Sequence, residues 1–276
     1  MHPNDKHGSD GIDEATPNRR RLLRGLGTAS LATGLGVQTA AADGTSVQVM
    51  STDTLPETES RQLAMSVTET DRTVGVRRTL ADEGLSASPA DTVSARLELA
   101  NAEALAGRDP IVTTVPYRRA GTDTPDAAGL LFAVTVRKGD RRVVAATFGA
   151  SAVGTRAPMA TAATPPVEVT ILSNDGRVRS TRTTTVEPTD VELLGQDEIF
   201  CFLCETVAVV LCSLLGEFDT ELCQQLCGDS AICKTACEAL ASYIDDQFCR
   251  APESNCTALG LCPSEQSLAG AGSGLR

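Results

Sequence analysis

Apolar positions fall in two different rhythms along this chain. Between residues 43 and 187 they form short, β-branched runs separated by Gly, Pro, Asn and Asp. After residue 196 they form longer runs at helical spacing. In the first region Leu130–Val136 and Arg142–Phe148 flank Lys138-Gly139-Asp140, which predicts a hairpin. Val167–Leu172 and Val178–Val186 flank Asn174-Asp175-Gly176 and predict a second. Ile111–Arg118 reads as a strand, and Pro116 within it predicts an edge position. Three short helices are expected: Glu57–Ser66, started by Pro56 behind Asp53 or Thr54; Val76–Asp82, ending near Gly84; and Asp91–Ala100.

The second region predicts a different architecture. Asp197 and Glu198 suit the start of a helix over Ile199–Leu215, and Gly216 suits its end. Its only charge is Glu205, so it must be buried or meet lipid. A further helix runs from Ser230 to about Phe248 along the stripe Cys233, Cys237, Leu240, Ile244, Phe248 and Cys249. Pro252 breaks it before a short terminal segment. The expected fold class is α+β: a small antiparallel-sheet domain followed by an all-α, disulfide-stapled helical bundle. The expected divisions are an export signal at 1–42, a cysteine-free domain at 43–187, a linker at 188–199, a helical block at 200–262 and a loose tail at 263–276.

All ten cysteines lie in that helical block: Cys201, Cys204, Cys212, Cys223, Cys227, Cys233, Cys237, Cys249, Cys256 and Cys262. A segment this short buries too little core to hold itself, and five disulfides supply the missing restraint. At about 100° per residue, Cys201, Cys204 and Cys212 share one helix face. Cys223-x3-Cys227 and Cys233-x3-Cys237 stand on two helices joined near Gly228. The nested pairing of Cys223 with Cys237 and Cys227 with Cys233 fits that hairpin. The alternatives are zinc binding or redox exchange at Cys201-x2-Cys204. No second C-x2-C or histidine pair accompanies it, and its surroundings read helical rather than βαβ.

Charge and composition narrow the chemistry. The chain carries 36 acidic against 24 basic residues, and only Lys6, Lys138 and Lys234 are lysines. Such an acid-rich, lysine-poor composition resembles that of haloarchaeal proteins. There is no basic stripe for nucleic acid, and with 3% aromatic residues and no Trp there is no base-stacking platform. The two histidines, His2 and His7, precede the expected cleavage point, so histidine-based nucleophile designs are not expected and neither is an enzyme. No cofactor and no metal are expected.

Arg19-Arg20-Arg21-Leu22-Leu23-Arg24, followed by a mild Gly/Ala-rich apolar run, resembles a twin-arginine export signal. Ala40 and Ala42 supply small residues for cleavage before Asp43. The expectation is secretion through the twin-arginine translocase into a disulfide-permissive compartment.

The cysteine block opens Cys201-x2-Cys204-x7-Cys212 and closes Asn255-Cys256-Thr257-Ala258-Leu259-Gly260-Leu261-Cys262. With ten cysteines behind a twin-arginine signal, the chain resembles a halocin precursor of the C-eight type, a haloarchaeal microhalocin. The resemblance covers about 62 residues. It implies an exported antimicrobial peptide, cut from a precursor whose amino-terminal part acts as its immunity protein. The apolar helix over Ile199–Leu215 is the expected contact with a target-cell membrane or membrane protein, and the cysteine-free domain is expected to cover it in the precursor. The alternative from another class is a non-toxic secreted disulfide-rich surface or interaction module. Glu187-Pro188-Thr189-Asp190 is the expected region of proteolytic separation.

Overall fold

The computed structural model describes residues 46–119, 127–154, 166–172, 176–185, 196–215, 223–224 and 227–263. The export signal at Arg19, Arg20, Leu22 and Leu23, the cleavage site at Ala40, Ala42 and Asp43, the junction at 187–190 and the tail lie outside the described residues. Residues 45–276 form one compact unit.

An antiparallel sheet divides this unit into layers. Its strands are β1 (Gln48–Thr54), β2 (Ser86–Ala87), β3 (Val93–Ala100), β4 (Ile111–Arg119), β5 (Ala127–Lys138), β6 (Arg141–Gly154), β7 (Pro166–Leu172) and β8 (Val178–Thr185). Their order is β1-β3-β4-β5-β6-β7-β8, with the short β2 paired to β4. Helices α1 (Glu57–Glu69) and α2 (Val74–Asp82) cover one face. Helices α3 (Gln196–Leu215), α4 (Ala231–Tyr243) and α5 (Pro252–Ala258) follow the strands in sequence. The fold is therefore α+β, with the sheet first and the disulfide-stapled helices last.

Side-chain alternation explains why both faces are covered. Successive residues of a strand point to opposite faces. Leu131 and Ala133 of β5 pack with Ala64, Val67, Val76 and Leu80 of α1 and α2. Their neighbours Leu130, Phe132 and Val134 pack with residues of α3 and α4. Both sets are buried, so Ala127–Val136 is buried without a break. That is why β5 reads as a continuous apolar run rather than an alternating one. In β6 the pairing shifts between Val134↔Ala146 and Thr135↔Val144, which leaves Ala145 as an extra residue. Its carbonyl accepts from Arg72 at 3.2 Å.

Three expectations change. Asp91–Ala100 is not a helix: Pro89–Asp91 forms one 3-10 turn and Val93–Ala100 is β3. Its helix-forming Ala, Arg, Leu and Glu hide a period of two, in which Ala95 and Leu97 are buried while Arg96 and Glu98 are exposed. Strand β4 is interior, between β3 and β5, despite Pro116. Here β3 pairs only with Ile111–Thr114, and the Pro116 carbonyl accepts from the Ser88 N–H at 2.8 Å. The N–H and C=O of a strand residue point the same way, so the missing donor falls on the side that β3 has already left. Helix α1 begins with Pro56 at its N-cap, and Thr54 closes β1, a strand the apolar pattern did not announce.

Helix α2 lies close to the sheet because Gly149 lets it. A Cβ at Gly149 would stand 2.4 Å from Val76 Cγ1. Gly149→Ala is expected to destabilise by about 1–3 kcal/mol through overpacking. Val76→Ala in the same chain should recover part of that loss. Thermal melts of the two single variants and the double variant check this, and additive losses would contradict it.

Candidate functional site

The ten cysteines join into five disulfides, and no cysteine is free. The three cysteines that share a face of α3 all reach the carboxyl-terminal leg. Cys201 pairs with Cys262, Cys204 with Cys256 and Cys212 with Cys249. As position along α3 rises, the partner number falls, so the leg returns antiparallel to the helix. The remaining two bridges are the nested pair, Cys223–Cys237 and Cys227–Cys233. All five Cα–Cα separations lie between 4.2 and 6.0 Å.

Local chemistry shapes this module. Ser230 caps α4 by accepting from the Cys233 N–H at 3.3 Å. After Tyr243 the helix widens into a π-helical stretch, Ile244–Cys249, which ends before Pro252 at the start of α5. Asn255 ties the two together, donating to the carbonyls of Gln247 at 2.8 Å and Ala251 at 2.9 Å. The N–H groups of Leu261 and Cys262 both donate to the Cys256 carbonyl. That turn holds Cys262 beside Cys201.

Bridging leaves little metal chemistry. Among the described residues, Cys201, Glu205 and Cys262 come close enough to resemble a ligand set. Their two sulfurs are bonded to each other and are not thiolate ligands. Cys201 Sγ lies 3.7 Å from Glu205 Oε1. Five disulfides are the chemistry of a secreted or otherwise non-cytoplasmic protein.

No disulfide joins this module to the sheet. Apolar contact does. Phe200, Leu203, Val207, Ala208 and Leu211 of α3 are buried in one cluster with Leu130, Val134, Ala150, Val169 and Ile171 of the sheet. Phe132 of β5 meets Phe248 edge-on, with ring centroids 5.2 Å apart. Tyr243 lies 6.4 Å from Phe248, and Phe148 lies 6.4 Å from Phe132. In a chain with six Phe and two Tyr, five of these eight aromatic residues, Phe132, Phe148, Phe200, Tyr243 and Phe248, therefore meet at this junction. One hydrogen bond and one close approach of backbone also link the two parts. The Val49 N–H of β1 donates to Ser242 Oγ at 3.2 Å. Gly260, at φ 64°, lies so close to Asp91 that a Cβ there would stand 3.0 Å from the carboxylate carbon. Asp91 is itself paired with Arg118 at 3.1 Å. Sequence reasoning found the cysteines and Phe248 but not Phe132, Ser242 or Asp91, whose role appears only when the layers stack. No helix among the described residues is long and apolar enough to cross a membrane.

Burial pushes the Tyr243 hydroxyl up to about 12, and burial does the same to Tyr117. A tyrosine titrates near 10 when unfolded. These groups therefore support the fold fully below about pH 10, and the support is lost as pH rises through about 12. Tyr243→Phe should flatten the alkaline limb of a stability–pH profile. An unchanged limb in the Tyr243→Phe, Tyr117→Phe double variant would contradict this.

No family model matches the chain, and no curated protein or solved structure matches it.

Proposed function

We propose that this chain is the precursor of a secreted antimicrobial peptide of the microhalocin kind, exported through the twin-arginine pathway. The peptide is the module at 200–262, which inhibits related archaea at their membrane. The sheet domain masks the peptide and protects the producer. No catalytic step belongs to this function.

One observation carries the reading. The module is closed on itself by five bridges and is held to the sheet by non-covalent contact alone. A cut between 186 and 195 would thus separate two pieces with no covalent link between them. The residues of α3 that pack on the sheet are the apolar surface such a peptide would offer to a membrane. From Gln196 to Arg276 twelve acids face only Lys234, Arg250 and Arg276, so attraction to anionic lipid does not drive the peptide. Apolar contact does, and concentrated salt strengthens it.

The test has three parts. Arg19→Lys with Arg20→Lys should leave the precursor inside the cell. Mass spectrometry of the medium should find the cysteine block, oxidised at all ten positions and shorter than the whole chain. That peptide should inhibit growth of other haloarchaea, and less so when the sheet fragment is added. A secreted product found only uncut and without inhibitory effect would favour the second reading, a non-toxic secreted interaction module. The core shared by sheet and module supports that alternative.

A further inference from the structure

The core shared by the stapled module and the sheet is apolar. Apolar contact is non-directional, so it holds the module without telling it from another peptide of similar shape. Discrimination needs an element that penalises the wrong partner. The turn after α5 brings Gly260 against Asp91 of the sheet. A Cβ at residue 260 would stand 3.0 Å from Asp91 Cγ, 3.1 Å from Oδ1 and 3.3 Å from Cβ. Both sides of this contact are fixed. On the module side, Gly260 lies between Leu259 and Leu261, both buried in the shared core, and between the bridged Cys256 and Cys262. Its N–H donates to the Thr257 carbonyl at 3.0 Å. On the sheet side, Asp91 Oδ2 accepts from Arg118 of β4 at 3.1 Å, and the Asp91 N–H donates to the Ser88 carbonyl at 3.1 Å. Two residues further on, Val93 is paired with Thr114. The carboxylate moves aside only by giving up Arg118.

We propose that Asp91 makes the sheet selective for its own module. It admits a peptide with glycine at position 260 and rejects a related peptide that carries a side chain there. Such a side chain either meets the carboxylate or pushes it off Arg118, and both weaken the seat. The inference rests on the masking role given above and adds to it which peptides the sheet accepts: its own, and those with the same glycine at this turn. Gly260 has φ 64°, so the turn by itself also favours glycine. That preference belongs to the module's own fold and is the same whether the module is seated or free. It cancels when seated and released modules are compared, whereas the clash with Asp91 does not.

The test uses the whole oxidised chain with a protease site placed at 187–190. The chain is cut in molar salt, and gel filtration follows how fast the module leaves the sheet. Gly260→Ala should release the module about tenfold faster than the parent, the loss expected of one clashing methyl. Gly228→Ala is the control. Gly228 has φ 55° and nothing within 4 Å of the place its Cβ would take, so the substitution strains the module's backbone in the same way without a clash. It should release as the parent does. Adding Asp91→Ala to Gly260→Ala should bring release back towards the parent's rate. Mass spectrometry should find five bridges in every variant. Should Gly260→Ala alone block correct bridging, recovery of all five in the double variant reads the same clash. Equal release from the Gly260→Ala and Gly228→Ala chains would overturn the proposal and leave masking intact. So would a double variant that releases or bridges no better than Gly260→Ala alone. Immediate loss of the parent's own module would overturn masking itself, and this selectivity with it.

Discussion

Replacing Phe132 by alanine is expected to cost about 3–5 kcal/mol, the usual range for a fully buried phenylalanine. For a chain of this size that lowers the melting temperature by roughly 6–20 °C. Phe132 has no exposed surface and sits where two layers meet, touching Phe148 on its own sheet and Phe248 on the stapled module. Its loss therefore empties space on both sides of the junction. The large ring leaves a cavity that neighbours cannot close, because α3 and the carboxyl-terminal leg are fixed to each other by three bridges. The local signature should be faster amide exchange in the 239–249 stretch than in β7 and β8. Phe132→Leu, which keeps most of the volume, should recover more than half of the loss. A shift in Phe132→Ala smaller than that of the Gly149→Ala variant would mean that the module and sheet do not share their core.

The bridges rank by position. Converting Cys204 and Cys256 to alanine is expected to cost about 3 kcal/mol in chain entropy, even with the neighbouring bridges intact, and more through lost packing. Both residues are completely buried, and the bridge spans 52 residues of sequence. Cys227–Cys233 spans only 6 residues and lies at the half-exposed tip of the α4 hairpin. Its removal should cost about 2 kcal/mol and leave the junction with the sheet undisturbed. Paired melts of the two double variants, each checked for correct remaining bridges by mass spectrometry, decide the ranking. The reverse order would indicate that the inner hairpin, not the ladder along α3, holds the module together.

Much of this layout is legible in residue order, for physical reasons that differ by element. The two hairpins declare themselves through β-branched runs around Gly-containing turns. Helix α3 declares itself through charge: Glu205 is the only charged residue over Ile199–Leu215. The nested bridges follow from four-residue spacings on facing helices. The three long bridges could be placed on one face of α3 but not given partners, because partner choice depends on how the leg folds back after Pro252. Strand β3 was hidden because Ala, Arg, Leu and Glu favour helices locally, while its pairing with β1 and β4 is a tertiary effect. Strand β1 was missed because its sequence, Gln-Val-Met-Ser-Thr-Asp-Thr, buries almost nothing and is held by pairing instead. The junction between sheet and module is invisible to any local pattern. Leu130, Phe132 and Val134 look the same whether the layer above them is solvent, lipid or another part of the chain.

The stacking of the last-made helices on the middle strands sets a timetable for the ribosome. β5 and β6 emerge with one apolar side unclothed, and the residue that meets Phe132 edge-on, Phe248, follows roughly a hundred positions later. At ordinary elongation rates that interval is about 5–20 s. During it the nascent strands present a wide apolar surface with nothing of their own to close it, so any nascent chain stalled short of residue 248 is a sticky one. Chaperone capture in that window, or rapid translation of the final sixty codons, would decide how much of the protein reaches its bridged state.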